Sequence, residues 1–177
     1  MSVFLQPIQT VTVGSGGASS ISFNSIPQTF TDLMFEGSIR TDRGTYGIDE
    51  TLVQFNGDST ATNYSHTFIR GQGTGGIDSN RVTSGYIWGP GGTGSTNTTN
   101  TFGNSQMYVT NYTGNNYKTT ITEICSEGNS ANNVFMMLDA GVWRNTAAIT
   151  SVIFNNQGTI FLQYSKISLY GVLRQGI

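Results

Sequence analysis

A chain of 177 residues that carries one histidine, His66, and one cysteine, Cys125, has few ways to do chemistry. Its ten acidic side chains offer the rest. Paired carboxylates serve glycoside cleavage, one as acid and one as base or nucleophile. Glu123 and Glu127 are near each other in sequence, in TTITEICSE. On a strand they share a side but stand about 13 Å apart, four rises of roughly 3.3 Å, which is too far for a retaining or inverting pair unless the strand ends between them. Asp42, Asp49, Glu50 and Asp58 fall around loops and could share a calcium ion with backbone carbonyls, yet no EF-hand spacing supports this. A solvated loop is the simpler reading. One His with one Cys cannot make an ordinary structural zinc site. Cys125 alternates with Ile121 and Glu123 on a strand and is expected to be a buried, inert thiol; alone, it forms no intrachain disulfide. His66 reads as a packed or surface strand residue.

The glycine pattern GQGTGG matches G-x-G-x-x-G through Gly71, Gly73 and Gly76. Dinucleotide binding needs a strand before that pattern and a helix after it, and IDSNRVTSGY has no helical period. No phosphate-binding G-x-x-x-x-G-K-S/T and no H-E-x-x-H occurs. The expectation is therefore no catalytic residue, no cofactor and no metal centre.

The elements that must position these residues are strands. Apolar runs are short and have period 2: Leu33, Phe35 and Ile39 share one side of TFTDLMFEGSIR, opposite Asp32, Glu36 and Arg40. Further strands are expected at Thr10–Val13, Ser20–Phe23, Thr51–Phe55, Tyr64–Ile69, Gly85–Trp88, Gln106–Thr110, Tyr117–Ile124, Asn133–Leu138, Val152–Phe154 and Ile160–Gly171. Phe55-Asn56-Gly57-Asp58 carries the Asn-Gly signal of a hairpin. Residues 141–150 fit at most one short helical turn. Near the end, Ile160, Leu162 and Tyr164 have one parity and Ile167 and Leu169 the other. That predicts a β-bulge near Ser165–Lys166 or a strand covered on both faces. The stretch is either a closing strand inside a sheet or one covered by another subunit.

These patterns predict an all-β antiparallel sandwich, jelly-roll-like, in a single domain over 1–177. Residues 71–105 hold ten glycines and read as a Gly/Thr-rich loop region, or as two loops flanking a Tyr86–Trp88 strand. Such loops cost backbone entropy to order and are ordered most easily against a partner.

Composition narrows the partners. Charged residues make up 10% of the chain and the net charge is -2. Ser, Thr, Asn and Gly account for 82 residues, so the surface is polar but neutral. Eight scattered basic residues form no stripe for a phosphate backbone, which argues against nucleic acid. No apolar run approaches the roughly 20 residues of a membrane span, and MSVFLQPIQTVTV lacks the pattern of a secretory signal. Glycosylation sequons at Asn63, Asn97 and Asn111 are expected by chance in a chain this rich in Asn, Ser and Thr.

Several blocks, taken in order, resemble structural proteins of tailed bacteriophages: GGASSISFNSIPQTFTDLMFEGSIRTDR, LVQFNGDSTATNYSHTFIRGQG, NYTGNNYKT and AGVWRNTAAITSVIFNNQGTIFLQYSKISLYGV. The resemblance runs over roughly residues 15–173. It implies a non-enzymatic virion component on the particle surface, assembled in the host cytoplasm. A capsid decoration or cement protein bound to the major capsid protein is the leading expectation, as a homo-oligomer, with a trimer favoured. The alternative is a tail or fibre component that binds a host glycan. Tyr86, Trp88 and Tyr112 are the candidate contacts for a partner or a glycan.

Overall fold

A computed structural model describes residues 3–45, 47–73, 75–128 and 134–174. Twelve strands are present among them: β1 (Val3–Thr12), β2 (Ser20–Phe23), β3 (Asp32–Ile39), β4 (Ile48–Phe55), β5 (Tyr64–Gln72), β6 (Gly76–Ser84), β7 (Ile87–Thr93), β8 (Gly103–Val109), β9 (Lys118–Ser126), β10 (Phe135–Trp143), β11 (Val152–Asn155) and β12 (Lys166–Arg174). Eight form one sheet in the order β1-β12-β3-β8-β9-β10-β5-β6, and four form a second in the order β2-β11-β4-β7. Every ladder between these strands is antiparallel. The fold is an all-β sandwich, as the period-2 runs require. Of the strand expected at Asn133–Leu138, Asn133 lies outside the described residues.

The core fills the space between the sheets. Leu33 and Phe35 of β3, Met107 and Val109 of β8, and Ile167 and Leu169 of β12 are all buried, and they face Ile21, Phe23, Val53, Phe55, Val152 and Phe154 of the smaller sheet. Phe35 meets Phe154 at 5.1 Å and Phe23 at 5.6 Å, edge to face, the arrangement ring quadrupoles prefer.

The 71–105 segment is not mainly loop. It contains β6, β7 and the start of β8. The glycines of IWGPGGT belong to a strand pressed against the larger sheet. A Cβ at Gly92 would lie 2.0 Å from the Ile39 carbonyl oxygen, and one at Gly103 would lie 2.6 Å from the Gly92 Cα. Only hydrogen fits there, so a composition that normally signals a turn here signals close backbone approach.

Three further expectations change. Residues 141–150 form no helix, because Gly141–Trp143 continue β10 and carry the Trp143 ring into the core. The Asn-Gly turn is made, with φ of 53° at Asn56 and 70° at Gly57 and a 2.9 Å bond from the Asp58 N–H to the Phe55 carbonyl. It closes no hairpin, since β4 and β5 lie in different sheets. Instead it carries the chain across the sandwich. The parity break before β12 is neither a bulge nor a doubly covered strand. Residues 162–165 turn, with Tyr164 at φ 73° and the Ser165 N–H donating to the Leu162 carbonyl at 3.0 Å. β12 then runs inside the sheet between β1 and β3.

Charges at strand ends are also buried. Asp32 accepts from the Tyr108 hydroxyl at 2.6 Å and the Asn111 N–H at 2.7 Å, and pairs with Arg174 at 2.8 Å. Arg40 donates to the Thr98, Thr101 and Asn97 carbonyls at 2.8–3.0 Å, pinning the loop between β7 and β8.

Candidate functional site

The nominated aromatic side chains do not form a platform. Tyr112 is fully buried, and its hydroxyl donates to the Pro27 carbonyl. Trp88 is half-buried, its ring centroid 4.7 Å from His66 and 4.5 Å from Phe68, so its face is already occupied. Tyr86 is half-buried beside Ser84, whose Oγ donates to the Tyr86 carbonyl at 2.6 Å.

His66 is sealed between the sheets. Its Nδ1 lies 2.7 Å from Asp139 Oδ2, and both side chains are fully buried. Burial pushes the Asp139 carboxyl above its ordinary pKa, and the bond to His66 opposes the shift. With no opening to solvent, this dyad reads as a packed polar pair.

The loop carboxylates do not converge on a cation either. Asp49 takes Arg43 at 2.7 Å and the Thr159 hydroxyl at 2.6 Å. Glu50 lies between Arg43 and Arg70, at 3.8 and 3.7 Å, with burial pushing its pKa up. Asp42 accepts from the Ile160 N–H at 2.8 Å. Asp58 collects Trp143 Nε1 at 2.8 Å, Asn63 Nδ2 at 2.9 Å and the Thr60 N–H at 2.9 Å. Its partial burial raises the pKa, but these bonds outweigh that and bring it down to about 2. Among the described residues no three His, Cys, Asp or Glu side chains are grouped to hold a metal.

The unusual surface lies elsewhere, on the outer face of the larger sheet. The register across β6, β5, β10, β9 and β8 aligns Ile77, Gly71, Met136, Cys125 and Asn104 in one row. The next row reads Ser79, Ile69, Leu138, Glu123, Gln106 and, on β3, Glu36. Ile121 stands in the row beyond, beside Ala140. Ile77 is 78% exposed, Met136 71%, Ile69 51%, Ile121 45% and Leu138 43%. Neighbouring exposed aliphatics on one face form a patch, whereas scattered single ones are ordinary. A groove of about 680 Å³ runs over this face, floored by Met136, Leu138, Ile69 and Ile77 and edged by Glu36 and Glu123.

Cys125 belongs to this face, so the expected buried thiol is corrected: it is exposed. The alternation that placed it with Ile121 and Glu123 was right, but that parity points outward while Thr122 and Ile124 point to the core. Of the residues singled out for chemistry, Glu123 and Cys125 line the groove; Glu127 lies beyond the end of β9. The signal for this face was in the sequence. FMMLDA and ITEICSE put apolar residues on both parities, which a strand with one solvated face does not need.

No family model matches the chain, and no curated protein matches it. Among solved structures, the chain aligns with a variant fructofuranosidase from Schwanniomyces occidentalis complexed with fructosylnystose, at 9% identity and a TM-score of 0.23 over 98% of this chain and 33% of that one. It also aligns with the fructofuranosidase complexed with fructose, at 10% identity and a TM-score of 0.22 over 96% and 34%. The chain spans about a third of the length of those enzymes, and similarity at that level carries no argument about fold or activity.

Proposed function

We propose that this chain is a non-enzymatic structural subunit of a tailed-phage virion, a decoration protein that seats the outer face of its larger sheet on the head surface. The observation that carries the reading is the kind of side chain on that face. Ile, Leu and Met are surfaces for another protein, and Met in particular adapts to an irregular partner. A sugar site would put aromatic rings beside polar groups, whereas of the rings nominated for that role Tyr112 is buried and Trp88 lies against His66 and Phe68. Glu36 and Glu123 at the border supply acceptors for a polar rim.

Together the five exposed aliphatics leave nearly three side chains' worth of apolar surface in water. At about 1.5–3 kcal/mol per side chain, full burial would contribute roughly 4–9 kcal/mol before association costs. That suits a component held in many copies at fixed positions. The test is co-sedimentation of purified protein with particles lacking it. Wild type binds, and Met136→Lys, placing a charge in the middle of the patch, keeps its fold and loses binding at least tenfold. Undiminished binding by the variant would refute the docking face.

A further inference from the structure

The two ends of the eight-stranded sheet are finished differently. β1, at one end, contains Pro7, and its register with β12 shifts between Pro7 and Gln9. A proline and an irregularity are standard ways to stop an edge from pairing with another strand. β6, at the other end, has neither. It pairs with β5 over all nine residues, from Tyr64 opposite Ser84 to Gln72 opposite Gly76, with no shift. None of its nine side chains is buried. Its side chains reach the rest of the sandwich through half-buried Val82, against the cluster of Phe68, Phe135 and Met137, and through the Asp78–Arg70 pair; its backbone is bonded on one side, and a partner strand would bond the other.

We propose that β6 pairs antiparallel with β6 of a second copy of this chain, across a two-fold axis through Asn80, joining the two larger sheets into one. The free side of the strand can be assigned. The Arg81 N–H is taken by its neighbour's Asn80 Oδ1 at 2.7 Å, so it points away from β5. By alternation the groups of Ile77, Ser79, Arg81 and Thr83 point outward together. An axis through Asn80 sets Ser79 against the partner's Arg81 and Ile77 against the partner's Thr83, forming about eight backbone bonds. The partner's Ser79 carbonyl then replaces Asn80 Oδ1 on the Arg81 N–H. No like charges stand opposite in this register. Shifting the axis to Asp78 or Arg81 would oppose two carboxylates or two guanidiniums, which is destabilising. Asp78 is already satisfied by Arg70, with bonds of 2.7 and 2.8 Å. Because side-chain parity is kept across the axis, both apolar outer faces lie on the same side of the joined sheet, giving two adjoining docking faces.

The test uses charge at the self-opposed position. Asn80 is exposed, and in this register the two copies face each other at about 4.5 Å between Cα atoms. The mass of the wild type in solution at about 10 µM is measured by light scattering, together with N80D, N80K and their equimolar mixture; circular dichroism checks each fold. The expected result is a wild-type dimer, monomers for each variant alone with association weakened at least tenfold, and a dimer restored in the mixture. A wild-type monomer, a trimer, or dimers insensitive to both variants would overturn the proposal. The pairing does not depend on the virion reading, and none of these outcomes bears on whether the chain sits on a particle.

Discussion

Replacing Asp58 with alanine tests how the sandwich is closed at one corner. Asp58 follows the Asn-Gly turn between the sheets, and its carboxylate gathers the Trp143 indole N–H, the Asn63 amide and the Thr60 N–H. Trp143 is fully buried against Phe55 and Tyr64, so its N–H would be left with no acceptor in D58A. An orphaned buried donor costs about 1–3 kcal/mol, and the two more exposed bonds contribute about 0.5–1 kcal/mol each. The expected loss is about 2–5 kcal/mol in urea denaturation, or roughly 4–20 °C in Tm for a chain of this size. The pH dependence has a definite sign. The folded-state pKa is depressed to about 2 from 3.8, so the carboxylate's contribution is complete above the unfolded value and disappears as pH falls through the folded one. The stability gap between wild type and D58A should therefore narrow between pH 4 and about 2. A gap under about 0.5 kcal/mol at pH 7, or one that widens on acidification, would refute the assignment.

Other predictions are more direct. Gly92→Ala places a methyl group against the Ile39 carbonyl; since backbone must move, the cost should reach about 3 kcal/mol or prevent folding, measured by thermal melting. Gly158→Ala is strained by its φ of 81° but meets open space, and should cost only about 1 kcal/mol in the same assay. Cys125 should react readily with a small maleimide in free protein and be protected on particles, because it lies in the docking row; equal labelling in both states would count against that face. With an interface centred on aliphatic groups and with charge confined to Glu36 and Glu123 at its rim, release from particles should change little between low and about 0.5 M salt, and complete release by salt alone would indicate a charge-driven contact.

The sequence carried the sandwich because most strands bury one side. β2 falls where ISF alternates, and β3, β8 and β9 follow from runs such as Leu33–Phe35 and Ile121–Cys125. β6 escaped notice because GIDSNRVTS has no buried side to create a period. The start of β7 was expected within Gly85–Trp88, but its glycine half was not, because those glycines are set by distance to Ile39 and Gly103, a tertiary constraint no local rule contains. The buried charges were equally illegible. Lys118 is fully buried and donates to the Gly114, Asn116 and Thr146 carbonyls, and Arg40 to those of residues 97–101. Their acceptors are loop carbonyls that any residue supplies. The exposed apolar face was only partly visible: parity grouped Cys125 with Ile121 and Glu123 but left their direction open to the wrong, buried reading, and the register of five strands was needed to bring Ile77 and Met136 to either side of Gly71 and Ile69 beside Leu138.

The most direct measurement is imaging of intact particles by electron cryomicroscopy, at a resolution that orients this sandwich. The account predicts many copies on the head, with the Met136–Leu138 face turned to the capsid lattice and the smaller sheet turned outward. Absence from the particle, or a position in which that face is left in solvent, would contradict it.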